Sequence, residues 1–222
     1  VDVREVCHCR LEAADAAVKA VEKEAWDVSV KSLVAFPQAL MPMNEKLDWT
    51  QKLGDAFLAQ KEDVMSAIQK LRQQAHKGGN LKSNEQQVVT VEQAPSTQQT
   101  VVKIEPAKPD VVYVPAYDPT VVYGGWPYPA YPPYYWPPPP MYYPGGYLAA
   151  GFAFGMGVVT VGAIFGDCDW GNNDINIDVD KAVNIDRNFQ SNRPDRGQGQ
   201  GGKTNWQHDP SHRKGVSYRD QA

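Results

Sequence analysis

Cys7, His8 and Cys9 are the softest potential metal ligands in the chain, and they stand side by side. A zinc site needs four donors in tetrahedral directions, which adjacent residues cannot supply without a distant partner, and the sequence offers no such partner. His208 and His212 have the spacing that places two imidazoles on one helical turn in the HExxH proteases, but Asp209 stands where the glutamate belongs and Pro210 follows it. Asp174, Asn176 and Asp178 invite a calcium reading. Counted as an EF-hand loop from Asp174, however, Val179 falls where glycine is needed and Ile185 where the bidentate glutamate belongs. Cys168 lies between Asp167 and Asp169, which disfavour its thiolate. There is no G-x-S-x-G, P-loop or G-x-G-x-x-G. The sequence therefore nominates no catalytic residue, no metal ligand and no cofactor. The expectation is a noncatalytic protein with a structural or interaction role, the alternative being a soluble metal-binding module or an enzyme with an unrecognised site.

The charge pattern narrows the partners. The 222 residues carry 22 Lys and Arg against 26 Asp and Glu, a net charge of −4. Residues 1–110 hold 14 and 16 of these, residues 167–222 hold 8 and 9, and residues 111–166 contain only Asp118. Neither charged region has the clustered basic excess that captures nucleic acid, so no nucleic-acid partner is expected. Three cysteines leave one over however they pair, so they make no disulfide framework. The first residues are charged and mixed rather than basic and then apolar, so no export signal is read in this chain.

Helical spacing comes first along the chain. Leu11, Ala14, Val18 and Val21 form an amphipathic stripe. Asp27 is placed to cap a short helix carrying Val30, Leu33 and Val34, which Pro37 is expected to stop. Asp48 and Gln51 have capping-box spacing ahead of Trp49, Leu53, Ala56 and Phe57. From Glu62 to Lys77 the stripe of Val64, Met65, Ile68, Leu71 and Ala75 ends at Gly78-Gly79. The last two helices are expected to pack through Trp49, Leu53, Phe57, Ile68 and Leu71. β-Branched runs follow at 88–91, 101–104, 111–114 and 121–123, separated by proline-bearing turns, and predict a short antiparallel meander.

Residues 124–146 alternate prolines with Tyr128, Tyr131, Tyr134, Tyr135, Trp136, Tyr142 and Tyr143, which predicts an extended polyproline II path. Such a stretch is either a semi-rigid spacer or a sticky surface for aromatic grooves, glycans or lipid headgroups. Tyr147 to Gly166 is 20 residues without a charge, long enough as a helix to cross about 30 Å of hydrocarbon. Gly151 and Gly155, then Gly162 and Gly166, lie four apart, a spacing that favours close helix contact in membrane or self-association. Ile175, Ile177 and Val179 alternate with polar residues as in a half-buried strand. From Asn188 the composition cannot bury enough surface to order itself.

The expected fold class is thus α+β: a small helical N-terminal part with a short antiparallel β meander, then spacer, apolar segment and a largely disordered tail. The blocks are an atypical N-terminal helix at 1–25, an α+β domain at 26–123, the Pro/Tyr-rich spacer at 124–146, the Gly-rich apolar segment at 147–166, a short strand region at 167–187 and the tail at 188–222.

Several unrelated motifs occur together and in order: WDVSVKSLVAFPQALMPMNEKLDW with the helical sequence that follows it to QQVV, IEPAKPDVVYVPAYDPTVVYG, the Pro/Tyr-rich stretch, the Gly-rich apolar run, DWGNNDINIDVD and WQHDPSHRKGVSYRDQA. Over about residues 26–222 the chain resembles the Gram-negative family catalogued as domain of unknown function 3300. The resemblance implies export and residence in the cell envelope, periplasmic or membrane-associated, with membrane or other envelope components as partners. It carries over no activity and no catalytic residue. Residues 1–25 depart from the helical segment the family pattern leads one to expect.

Overall fold

The computed structural model describes residues 19–94, 98–108, 111–135, 152–154, 158–159, 165–185 and 203–218. Its helices are α1 (Val28–Leu33), α2 (Pro37–Glu45), α3 (Leu47–Ala59), α4 (Lys61–Lys77), α5 (Pro119–Val122) and α6 (Val179–Ile185). Its strands are β1 (Gln87–Gln93), β2 (Thr100–Pro106), β3 (Val111–Val112), β4 (Pro115–Tyr117), β5 (Phe152–Phe154), β6 (Val158–Val159), β7 (Phe165–Asp169), β8 (Asp174–Asp178) and β9 (Lys203–Asn205). The class is α+β. Two compact units divide the chain, one drawn from Val1–Glu62 and Val159–Ala222 and the other from Asp63–Val158. This division cuts across the compositional blocks, because both ends of the chain contribute to the first unit.

In the first unit Asp27 caps α1 as its position predicts, accepting from the Ser29 amide at 2.8 Å. Pro37 ends α1's path but also opens α2 at its first turn, where a missing N–H goes unused. The expected capping box is not formed: Lys46 occupies the cap of α3, and Asp48 sits inside the first turn, paired with Lys52 at 2.8 Å. Leu53, expected in a helix–helix seam, is 43% exposed. Val21, Val34 and Leu40 form one apolar cluster with Trp26, Leu33 and Met41 beside it. Val28, Ile177, Ala182 and Ile185 form a second with Trp206, so β8 and α6 close over α1.

β7, β8 and β9 make an antiparallel sheet in that order. The turn between β7 and β8 is organised by Asp169, whose carboxylate accepts from the Gly171 and Asn172 amides at 3.0 and 3.1 Å. Period-two spacing in β8 does bury Ile177, as its sequence predicts. Part of the tail is ordered. Within the stretch expected to be disordered from 188 to 222, residues 203–205 pair with β8, and the Trp206 amide donates to the Ile175 carbonyl at 2.8 Å. Asp209 then caps a 3-10 turn at Pro210–Arg213. Arg213 Nη1 donates to Asp55 Oδ1 at 2.9 Å, its other nitrogens reach the Val216 and Ser217 carbonyls, and its guanidinium lies 4.0 Å over the Tyr218 ring. Average composition did not reveal this order because it rests on a few anchors whose partners are remote in sequence.

In the second unit α4 ends where predicted. Gly79 adopts φ +72, a conformation glycine takes without a side-chain clash, and the Asn80 and Leu81 amides turn back to the Ala75 carbonyl. β1 and β2 form an antiparallel hairpin with Val91 opposite Val102 and Val89 opposite Ile104. α4 lies along β2 and satisfies its backbone. Gln69 accepts from the Val102 amide at 2.9 Å and donates to its carbonyl at 3.3 Å, Arg72 donates to the same carbonyl at 3.2 Å, and Gln73 to the Thr100 carbonyl at 2.6 Å. Ala75, Leu81, Val102 and Val122 make the core, with Val89, Tyr117, Tyr123 and Phe152 packed on it.

The expected meander is only partly realised. Residues 121–123 are not a strand: Asp118 accepts from the Thr120 amide at 2.8 Å and Pro119 starts α5, so cap chemistry overrides β-branched propensity. β4 pairs not with a chain neighbour but with β5, placing Tyr117 opposite Phe152 and Pro115 opposite Phe154. β5 belongs to the apolar run 147–166. Its described residues lie in β5, β6 and the start of β7 rather than in one spanning helix. Among the described residues no helix is long and apolar enough to cross a membrane. Glycine disfavours helix by about 1 kcal/mol per residue relative to alanine, whereas Phe152-Ala153-Phe154 has the period of a strand.

Two outcomes follow from these contacts. Arg213→Ala should lower stability by about 3 kcal/mol in urea titrations, because Asp55, with its side chain 2% exposed, would lose its guanidinium partner. Asp55→Asn introduced alongside it should recover part of that loss. Gln69→Leu should cost about 1–3 kcal/mol by orphaning the Val102 amide, and amide exchange at Val102 should accelerate more than that at Thr90.

Candidate functional site

A cleft of about 430 Å³ opens in the second unit, within the size range of small-ligand pockets. One wall is α4, which contributes Ile68, Leu71 and Arg72; another is the end of β2, with Ile104 and Glu105. Tyr117, Tyr123 and Phe152 supply the aromatic surface. Ile68 and Leu71, expected in a helix–helix seam, thus face this cleft instead.

The cleft's hydrogen-bonding groups are largely committed to the fold. The Tyr117 and Tyr123 hydroxyls bond to each other at 2.8 Å. Arg72 donates to the Val102 carbonyl of β2 and Gln87 to the Lys82 carbonyl, while behind the cleft Gln74 donates to the Tyr123 carbonyl and Asn80 to that of Val122. Burial, reinforced by neighbouring Tyr117, pushes the Tyr123 phenol far above its usual range. This phenol therefore stays protonated at neutral pH and is no base.

The rings form a continuous series. Phe154 stacks beside Phe152 at 6.3 Å, Phe152 meets Tyr117 at 4.9 Å, and Tyr117 meets Tyr123 edge-on at 5.8 Å. Tyr123 lies 6.3 Å from Trp126, which lies 6.2 Å from Tyr128. These separations and tilts are those of favourable aromatic pairs. The outer end is a correction to the polyproline II expectation: the Tyr131 amide donates to the Tyr128 carbonyl at 2.9 Å, making a turn with Pro129 at its first corner. Trp126 Nε1 donates to the Tyr131 carbonyl at 2.8 Å and fixes that turn against the ring series. Of these rings the proline and tyrosine pattern marks only Tyr128; the others come from separate segments and are joined by folding.

Of the residues nominated by spacing, only some are among the described residues. Gly151, Gly155 and Gly162 lie outside the described residues, and Gly166 falls in β7. Cys7, His8 and Cys9 also lie outside them. His208 Nε2 bonds to the Tyr218 hydroxyl at 2.7 Å, while His212 Nε2 stands 3.5 Å from Asp209 and 3.8 Å from Asp27. Among the described residues no group of three or more His, Cys, Asp or Glu is placed to hold a metal ion. Asp209 is held below the usual carboxylate range chiefly by the Ser211 hydroxyl and amide, and Asp118 likewise by Thr120. Both shifts belong to exposed helix caps.

The family described as "Protein of unknown function (DUF3300)" matches residues 7–208, and the chain belongs to it. The chain is also similar to the uncharacterized protein YacH of Escherichia coli (strain K12), at 38% identity over 272 residues. That match covers 95% of this chain and 42% of the relative, so the chain spans less than half the relative's length. No solved structure matches.

The paired phenols generate a pH dependence. Folding raises the Tyr123 phenol above its unfolded value of about 10, so this contribution to stability is complete below pH 10 and declines as pH rises past it. Tyr123→Phe should cost about 0.5–1.5 kcal/mol at pH 7 through loss of the hydroxyl pair. Urea midpoints measured from pH 9 to 11 should fall more steeply for the wild type than for this variant.

Proposed function

We propose that the protein is a noncatalytic component of the Gram-negative cell envelope that acts by contact. Its partners are the membrane or other envelope components and further copies of itself, met through the apolar stretch 147–166 and the aromatic surface beside it. The observation that carries this reading is the ring series. Its inner hydroxyls bond to each other, while at its outer end Tyr128 is 61% exposed in a region whose only formal charge is Asp118. Exposed aromatic rings in a segment almost without charge are suited to adhesion. The short strands described within the apolar stretch suit it to edge and ring-face contact.

Cell fractionation of the complete gene product, with carbonate and detergent washes, tests the reading. The protein should sediment with envelope material and resist removal by carbonate. Recovery in the cytoplasmic supernatant would overturn it.

A further inference from the structure

We infer that β1 is a self-complementary pairing edge held shut by a clip at Ser83 and Asn84, and that two copies join β1 to β1 once the clip opens. The inference goes beyond the contact reading above, which concerns other residues. Gln69 bonds the Val102 amide and carbonyl on the outer side of β2, and Val102 stands opposite Val91. Backbone direction alternates along a strand, so Gln87, Val89, Val91 and Gln93 turn their N–H and C=O groups away from β2.

The clip closes half of that row. Ser83 Oγ accepts from the Val89 amide at 2.9 Å and donates to the Val89 carbonyl at 3.2 Å. Asn84 Oδ1 accepts from the Gln87 amide at 2.9 Å, and the Asn84 amide donates to the Gln87 carbonyl at 2.9 Å. Among the described residues nothing pairs with the outer backbone groups of Val91 and Gln93, and Val91 is 48% exposed. A strand arriving at this edge meets two open residues and then the clip, a run shorter than ordinary strands need. Ser83 is itself exposed, so the barrier to a longer pairing is a hydroxyl at the surface.

The occupant is a second copy because the edge complements itself. Gln87-Val88-Val89-Thr90-Val91-Glu92-Gln93 reads almost alike from either end about Thr90. Laid antiparallel on a second copy about that residue, Val89 falls opposite Val91, Gln87 opposite Gln93 and Val88 opposite Glu92. Outward residues then meet outward residues, as a hydrogen-bonded ladder requires. No like charges oppose each other, and the two copies of Thr90 face each other at the closest approach, a favourable cross-strand pair. The run has high β propensity, a single charge and neither proline nor glycine, the composition of segments that add strand to strand.

Sedimentation velocity on the full chain tests this. Ser83→Ala with Asn84→Ala unclips the edge and should tighten self-association at least roughly tenfold over the wild type, whereas Ser83→Thr, which keeps the hydroxyl, should leave it unchanged. Thr90→Glu added to the unclipped variant should reverse the gain. It sets two carboxylates face to face across the pair, yet within its own hairpin it stands opposite Lys103. Hydrogen exchange on the wild type checks the clip without any substitution: the Val89 amide should exchange at least roughly tenfold more slowly than the Val91 amide. Self-association of the unclipped variant equal to that of the wild type, or a gain that survives Thr90→Glu, would overturn the inference. Equal exchange at Val89 and Val91 would overturn it too. Each readout is a difference between forms or positions of this chain, and fractionation decides the envelope reading separately.

Discussion

Closure of the β2 edge by α4 is the interaction on which the second unit depends. A two-stranded hairpin is marginal in water, and its outer edge presents unpaired backbone groups to any passing strand. Here the Gln69 amide pairs with both the N–H and the C=O of Val102, and Arg72 and Gln73 continue along the same strand. The helix therefore acts as a third strand built from side chains. That docking brings Ala75 onto Val102 and Val122. It also places Gln74 and Asn80 where they hold the carbonyls around α5. The position of Tyr123, and with it one wall of the cleft, follows from the register of α4 against β2.

The first unit solves a related problem with charge. Asp55 on α3 is buried and meets Arg213, which is tied to its own segment through the Val216 and Ser217 carbonyls and the Tyr218 ring. Phe57, two residues further along the same helix, meets Trp206 edge-on at 5.9 Å. α3 thus receives a strand end and a capped turn from far along the chain. Burying an ion pair adds little net stability, but it strongly penalises any arrangement that leaves Asp55 without its partner. The pair therefore specifies which segment docks there.

Signals local in sequence were legible, and those created by tertiary pairing were not. The Asp27 cap, the extent of α4, its Gly78-Gly79 stop and the β1–β2 hairpin could all be read from neighbouring residues. The role of Gln69, Gln73 and Gln74 could not, because a polar helix face reads as solvated until a strand edge is set beside it. Val121-Val122-Tyr123 was read by β propensity, yet Asp118-Pro119 supplied a stronger start signal for a helix. Tyr147–Gly166 was read by length and lack of charge, whereas the alternation of Phe152 and Phe154 across Ala153 was the better guide. Arg213 carried no usable signal, since its partner lies 158 residues away.

Backbone acceptors in surplus link the fold of the second unit to its surface chemistry. From Val121 to Tyr135 the chain contains Pro127, Pro129, Pro132 and Pro133, each of which contributes a carbonyl without an N–H. Regular secondary structure cannot balance such a segment, so side-chain donors do. Asn80 serves Val121 and Val122, Gln74 serves Tyr123, and Trp126 serves Tyr131. These donors are planar amides and an indole, groups that satisfy a carbonyl while packing flat against rings and prolines. A region stabilised in this way is neutral, rich in ring faces and poor in backbone donors.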